Sequence, residues 1–450
     1  MIEQDESRRT AQALLGKIKA DEAEVVITSD RTGATRFSRN SISQNVDESM
    51  RRVRIRVIKD GRQGVATVNS FDDAMLSRAV ERALAAAAHS QPDPDILPMI
   101  DRQPEYQNVD TFNAETFEAT PRMRAERILE QVNLCRQRDL EAAGLLQTGG
   151  GSCAYANSKG VFAYCKASIA SLTFSAFADD GSVEGAADAV DHNINSLSTR
   201  KVGNTAVERA IKARKPKVVP AGEYDVVLER GAVSDLILFL SWLGLSAQRH
   251  VEGRSPLAGR IGEKLFSDKL TMISDPYDPR FEGRPFDMEG YPTKKVVMIE
   301  KGVFKALPHD RRTAKALGGE NSGYGNLQPD IDGPEPGSVT VKEGDATIES
   351  MIRSTKRGLL VNQFHYSNTV DPMALSVTGM TRGGLWMIEN GEIAYAVKNL
   401  RYTENLFKAL SNIEAVGNIA EPGAGNLFGG GAVLPAMKIK GFTFSSQTEF

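Results

Sequence analysis

The most constraining feature of this chain is an apolar run, Ala232-Val-Ser-Asp-Leu-Ile-Leu-Phe-Leu-Ser-Trp-Leu-Gly-Leu-Ser-Ala247. Apolar residues at 236, 237, 239, 240, 243, 245 and 247 cover most of a helix circumference, the pattern of a buried core helix. Asp235 near its start and Arg249 and His250 past its end suit the helix dipole. The run is too short, and too closely bounded by charge, to span a bilayer.

The rest of the chain divides around this helix into an α+β fold. At 450 residues it is long enough for two or three domains, each with its own core. Residues 1–90 read as an N-terminal α+β domain. It holds an amphipathic helix over 5–20, a strand Glu24–Thr28, a hairpin of Arg52–Ile58 with Val65–Val68, and a helix Asp72–His89. Arg52-Val-Arg-Ile-Arg-Val-Ile58 alternates arginine with β-branched residues, as a sheet with one wet face requires. It lacks the interleaved aromatics of a nucleic-acid strip.

Residues 91–120 are proline-rich and polar, a linker or extended crossover. Residues 121–222 read as a middle α+β domain: a helix to about 139, a glycine cluster at 149–151, strand–turn–strand over Cys153–Tyr164, and a helix at 204–213. Residues 223–450 read as a largely antiparallel β domain around the buried helix. Its hairpins are 294–306 and 384–396, the second turning at Asn390-Gly391. Helices are expected at 309–318 and about 402–413, with a last strand at 432–439.

Charged residues make up 25% of the chain and the net charge is −3, which argues against bulk nucleic-acid binding. Three cysteines without a repeated spacing give no disulfide framework and fit a reducing compartment. The first residues lack the apolar core of a signal peptide, so a cytoplasmic protein with no membrane partner is expected.

Side chains for catalysis are sparse. The five histidines, at 89, 192, 250, 309 and 365, share no short ligand spacing. Gly244-Leu-Ser246 lacks the second glycine of a nucleophile elbow. Cys153, beside Gly149-Gly150-Gly151-Ser152, has no recognisable histidine partner and reads as a structural small residue. Gly423–Gly429 lacks the Lys-Ser/Thr of a phosphate loop. Asp287 and Glu289 share a face only if their segment is extended.

Several segments together carry a resemblance. They are Glu252-Gly253, Gly259-Arg-Ile-Gly-Glu263, Asp287-Met-Glu-Gly-Tyr-Pro-Thr293, Gly323-Tyr-Gly-Asn326, Glu389-Asn-Gly-Glu-Ile393 and Leu434-Pro-Ala-Met-Lys-Ile439. Here the chain resembles the TldD/PmbA family, once described as modulators of DNA gyrase. The likeness is strongest from 224 to 440 and topological before 120. In the TldD-type subunit the resemblance implies a His-Glu-x-x-x-His zinc motif on the buried helix and a cysteine in the late glycine-rich segment. With His250 as the second histidine, the first histidine and the glutamate fall on Leu245 and Ser246, and Pro422–Gly431 holds no cysteine.

The chain therefore looks like the TldE/PmbA-type subunit, with no catalytic or metal residues of its own and zinc expected in the partner. The resemblance implies a TldD-type zinc-bearing subunit or a second copy as partner, and an unfolded peptide as substrate, in maturation of ribosomally made peptides or degradation of small antitoxin proteins. Candidate peptide-cleft residues are His250, Glu252, Asp287, Glu289 and Asn326, with a surface or helix-capping role as the plainer reading of His250. An exposed β-edge that accepts an extended peptide would be indifferent to its side chains. The alternatives are a self-sufficient peptidase or amidase homodimer with an unrecognised site, and a peptide- or topoisomerase-binding modulator without proteolysis.

Overall fold

The computed structural model describes residues 1–101, 105–281, 283–423 and 431–448. The chain opens with α1 (Gln4–Lys17), β1 (Glu22–Ser38), β2 (Ser41–Lys59), β3 (Arg62–Val68) and α2 (Asp73–His89). It continues through α3 (Ala114–Phe117), α4 (Pro121–Gln137), β4 (Glu141–Asn157), β5 (Phe162–Ala178), β6 (Val183–Asp191) and α5 (Thr199–Lys212). The six strands form one sheet in the order β3-β2-β1-β4-β5-β6, and every neighbouring pair is antiparallel.

Local sequence accounts for the helix ends. Asp72 caps α2 by accepting from the amides of Ala74 and Met75, and Thr120 caps α4 ahead of Pro121. On the sheet, Val25 and Ile27 of β1, Ile55 and Val57 of β2 and Ala154 and Ala156 of β4 share one face and bury it against Leu14 of α1 and Leu76 and Ala83 of α2. Farther along, Leu146, Leu172 and Phe174 pack against Ile128 and Val132 of α4 and Val202 and Val207 of α5. Burying one such aliphatic side chain contributes about 1.5–3 kcal/mol.

The glycine cluster is not a break between strands: β4 runs straight through it. A Cβ at Gly149 would lie 2.0 Å from the Arg31 carbonyl oxygen, and one at Gly150 2.2 Å from that of Ala167. The glycines therefore let neighbouring backbones approach. Among the described residues of 91–120, regular structure is confined to α3 and one bridge, and the segment is tied down. The Met99 amide donates to Glu22, the Asn157 side chain donates to the Ile100 carbonyl at 2.9 Å, and Thr111 bridges Ala167.

The second half carries β7 (Gly222–Leu228), α6 (Arg230–Phe239), α7 (Ala247–Val251), β8 (Met272–Ser274), β9 (Val296–Glu300), β10 (Val303–Phe304), α8 (Arg311–Leu317) and β11 (Val339–Val341). Then come α9 (Ile348–Arg353), β12 (Arg357–Asp371), β13 (Ser376–Glu389), β14 (Glu392–Ala396), β15 (Leu400–Asn405), α10 (Leu406–Ser411), β16 (Ile413–Pro422) and β17 (Ala432–Gln447). These strands form an eleven-stranded, largely antiparallel sheet; β7 runs parallel to β12, and β11 parallel to β17. Because β7 pairs with both β12 and β17, the strands β17-β15-β13-β12-β7 close into a ring. Leu236, Ile237 and Leu240 of the buried helical segment pack into the core that this ring shares with Phe364, Tyr402 and Phe442.

Two of the expected helices need correction. The buried helix is not continuous to 247. After α6 it widens into a π-helical turn, Leu240–Gly244, and restarts at α7. Ser241 donates back to the Ile237 carbonyl at 2.8 Å, a bond that bends helices, and Gly244 sits tightly against Leu257. The helix expected at 402–413 is a strand to Asn405 and a helix only from Leu406, because Leu400, Tyr402 and Glu404 alternate inward and Asn405 caps the new helix. The Gly423–Gly429 segment falls mostly on 424–430, outside the described residues. Among the described residues, no helix is long and apolar enough to cross a membrane.

Candidate functional site

The second face of the first sheet carries Arg56, Glu24 and Asn157 in one cross-strand row and Arg54, Val26 and Tyr155 in the next. This is the face expected to be wet; the expectation holds at Arg52, which is exposed, and fails at the Arg54 and Arg56 end. Arg56 is 3% exposed and Glu24 1% exposed. Arg56 forms a fork on the Glu24 carboxylate, with Nε at 2.8 Å and Nη2 at 3.2 Å, and the Tyr155 hydroxyl donates to Glu24 at 3.0 Å. Arg54 donates to the Gln328 carbonyl, contributed by the second half of the chain. The alternation assigned these arginines to one face correctly; a segment about 270 residues away covers it.

The covering element is the loop 283–293, with residues 321–328 behind it. Asp287 closes the loop on itself. One carboxylate oxygen accepts from the amides of Glu289 at 3.0 Å and Tyr291 at 2.8 Å, and the other from Gly325 at 2.8 Å. Gly290 then turns with φ +78°, and a Cβ there would meet the Tyr155 ring at 2.4 Å. Only glycine suits both the angle and the contact. The Tyr106 hydroxyl donates to the Gly290 carbonyl at 2.6 Å, fastening the loop from the crossover segment.

Glu289 points to Arg311, at the start of α8, in a second fork with contacts of 2.8 and 3.2 Å, and Arg311 donates onward to the Pro98 carbonyl. Asp287 and Glu289 are each 5% exposed, and both crowd the position a Gly325 Cβ would take. Burial, aided by the Glu289 charge, pushes the Asp287 carboxyl up to about 8, against the three amides that favour its charged form.

This makes the loop sensitive to pH. The folded chain holds the Asp287 proton to about pH 8, whereas an ordinary aspartate loses it near 3.8. Between those values the folded state binds more protons, so the contribution is full below about pH 4 and declines as pH rises toward 8. Unfolding midpoints measured from pH 5 to 8.5 should therefore fall more steeply in the wild type than in Asp287→Asn. Equal slopes would remove Asp287 as the cause.

The other candidates lie elsewhere. Asn326 donates to Asp330 at 3.1 Å and to the Gly333 carbonyl at 2.8 Å, holding its own loop. Glu252 is on the surface, bonded to Gln248 and Arg254. His250 is 8% exposed, so it is not a surface residue. Its Nε2 lies 2.7 Å from the Gly244 carbonyl, to which it donates, and 3.0 Å from the Ser255 hydroxyl, while its ring packs on Phe304. It thus caps the carbonyl left open where the π-helical turn ends. Burial holds its pKa below the ordinary value, with the carbonyl bond opposing.

Zinc does not fit these residues. Leu245 is fully buried among apolar neighbours, Ser246 is 1% exposed and the His250 Nε2 is engaged by a carbonyl. Among the described residues, no group of three or more His, Cys, Asp or Glu side chains is placed to hold a metal ion.

A separate cleft of about 900 Å3 lies between β6, α5 and β16, lined by Asp188, Arg209, Glu229, Arg230, Asn418 and Glu421 among others. None of the five sequence candidates lines it. Its charges are largely paired: Arg230 forks onto Asp188, and Arg209 pairs with Glu229. No spacing in the sequence announced this cleft, nor the partners Glu24, Arg56, Tyr155 and Arg311. The one available signal was a glutamate directly before the apolar run Val25-Val-Ile27.

Comparison with known proteins bears on the whole chain. Models of the PmbA/TldA metallopeptidase match in three pieces: domain 1 over residues 23–87, the central domain over 123–214 and the C-terminal domain over 221–446. Metalloprotease PmbA of Escherichia coli O157:H7 is 25% identical over 94% of this chain and 93% of its own length. A metalloprotease of Methanothermobacter thermautotrophicus is 28% identical over 50% of this chain and 49% of its own length. Against it and the similar archaeal metalloproteases, the chain spans about half the length of the relatives it matches.

Two crystal structures share the fold. TldE of Thermococcus kodakarensis superposes with a TM-score of 0.87 at 24% identity, over 97% of this chain and 99% of that one. A candidate modulator of a DNA gyrase from Thermotoga maritima superposes with a TM-score of 0.86 at 20% identity, over 98% and 100%. Motif, fold and family models agree along the chain: it belongs to the PmbA/TldD metallopeptidase family.

Proposed function

We propose that this chain is a non-catalytic, TldE/PmbA-type subunit that pairs with a zinc-bearing TldD-type subunit and helps present unfolded peptides to the partner's metal. One observation carries this reading. Where a zinc peptidase would place a histidine and its catalytic glutamate, this chain has Leu245 and Ser246, both buried, and it uses the His250 imidazole as a cap. A hydrolytic zinc site needs about three protein ligands, an open position and a base. Refilling that set would require rebuilding a packed core, beyond the exchange of one side chain.

The family and the PmbA and TldE relatives support the pairing. The cleft beside β6, the last strand of its sheet, supports a role in holding an extended chain, because main-chain hydrogen bonds along an edge ignore side-chain identity. Three cysteines and no disulfide suit a reducing, cytoplasmic setting.

Digestion of an unstructured peptide by this chain alone, by a TldD-type partner alone and by the mixture tests the proposal. The mixture should cleave at least tenfold faster than either sample, and this chain alone should not cleave. Chelator-sensitive cleavage by this chain alone would sink the reading and favour the self-sufficient peptidase.

A further inference from the structure

Cys153 and Cys165 take no part in the reading above. They are far from the zinc question, and sequence spacing gave no reason to pair them. The sheet register does. Cys153 of β4 stands directly opposite Cys165 of β5, and opposite residues of an antiparallel pair project from the same face. Directly paired residues have Cα atoms about 4.5–5.5 Å apart, inside the 4.4–6.8 Å window of a disulfide. Both residues are only partly buried as a whole, with the Cys153 sulfur turned inward, and neither is joined by a disulfide here.

Their surroundings distinguish them from ordinary core thiols. They pack beside Val26, Tyr155, Phe286 and Tyr291, beneath the loop that carries Asp287 and Glu289. Thr28 is the residue opposite Cys153 on its other side, and its buried hydroxyl has no hydrogen-bond partner. That hydroxyl can donate to an oxygen carried on the neighbouring sulfur. Cys135 provides the contrast, fully buried in α4 with no cysteine opposite it.

We propose that Cys153 and Cys165 are a redox pair that closes into a reversible cross-strand disulfide under a peroxide, stapling β4 to β5 beneath the 283–293 loop. The chemistry balances in two steps. The Cys153 thiolate attacks one peroxide oxygen, the O–O bond breaks, and Cys153 becomes a sulfenic acid as the departing hydroxide takes up a proton to form water. The Cys165 sulfur then attacks the Cys153 sulfur, the S–O bond breaks, and a second water leaves with the proton from Cys165. The two sulfurs lose two electrons and the peroxide gains them. Burial, reinforced by the nearby Cys165 sulfur, raises the Cys153 pKa, so the thiolate is scarce at neutral pH and closure accelerates as pH rises.

The test is a thiol count and peptide map of the full chain after exposure to hydrogen peroxide at pH 7 and pH 9. Titratable thiols in the denatured protein should fall from three to one, faster at the higher pH, and return with dithiothreitol. The map should contain one linked pair, Cys153 to Cys165, unchanged in Cys135→Ser. Retention of all three thiols would overturn the proposal. So would Cys153 sulfinic acid with the Cys165 thiol intact, or a bridge that uses Cys135 or joins two chains. The wild-type map decides the matter even if Cys153→Ser or Cys165→Ser folds poorly.

Discussion

Arg124→Met is expected to lower the stability of this chain by about 3–5 kcal/mol, because it leaves several buried acceptors unpaired at about 1–3 kcal/mol each. Arg124 is fully buried, yet it projects from α4 into the outer half of the first sheet. Its Nε donates to Thr35 at 3.1 Å. One terminal nitrogen donates to the Ala119 carbonyl at 2.8 Å and to Thr148 at 3.3 Å, and the other to the Val46 carbonyl at 3.3 Å and to Asp47 at 3.1 Å. A single guanidinium therefore ties α4 to β1, β2 and β4. Methionine fills similar volume and satisfies none of these acceptors; Thr35, Thr148 and the Ala119 carbonyl then lose a bond while buried, whereas the exposed Val46 and Asp47 can turn to water.

The same residue explains Gly33. A Cβ there would lie 2.0 Å from an Arg124 terminal nitrogen, so Gly33→Ala must displace the guanidinium. Once Arg124 is methionine, that clash is gone and the alanine should cost much less. The two substitutions should thus be non-additive by about 0.5–3 kcal/mol in a double-mutant cycle followed by urea unfolding. A loss within about 0.5 kcal/mol for Arg124→Met would place it among ordinary surface substitutions and refute the clamp.

Elements whose causes are local could be read from the sequence. The Asp72 cap, the Asn390-Gly391 turn and the inward alternation of the hairpins depend on neighbours a few positions away, and the chain adopts them. Elements decided by distant partners could not. The apolar run announced burial, but the break after Gly244 depends on how closely Leu257 packs against that glycine. Residues 402–405 hold apolar and polar side chains that fit either period, and pairing with β13 made them a strand. Within the candidate site, the Asp287 and Glu289 pairing lay within one short motif. Their functional surroundings come from Arg311, Gly325 and the far sheet face, which no spacing links to them.

The arginine strand shows the same limit, and it supplies the other large effect. Glu24→Ala is expected to cost about 3–5 kcal/mol, because it leaves the Arg56 guanidinium buried without its counter-charge. It also removes the acceptor of the Tyr155 hydroxyl and the nearest anion to Arg54, 3.8 Å away. Alanine and glutamine should differ. Glu24→Gln keeps one acceptor oxygen but turns the other into a donor and removes the charge, so it should fall between wild type and Glu24→Ala. The double variant Glu24→Met/Arg56→Met should recover much of the loss, since it buries no unpaired charge and apolar replacements of such pairs are often neutral. Chemical unfolding of the three variants distinguishes a buried pair from a solvated one. Were this face wet, as the alternation alone suggests, all three would lie within about 1 kcal/mol of wild type, because exposed ion pairs contribute little. The ranking alanine, glutamine, double methionine, from most to least damaged, follows only if the loop 283–293 and residues 325–328 seal the sheet face. The same stability series therefore tests whether the two halves of the chain are packed as one body around Asp287 and Glu289.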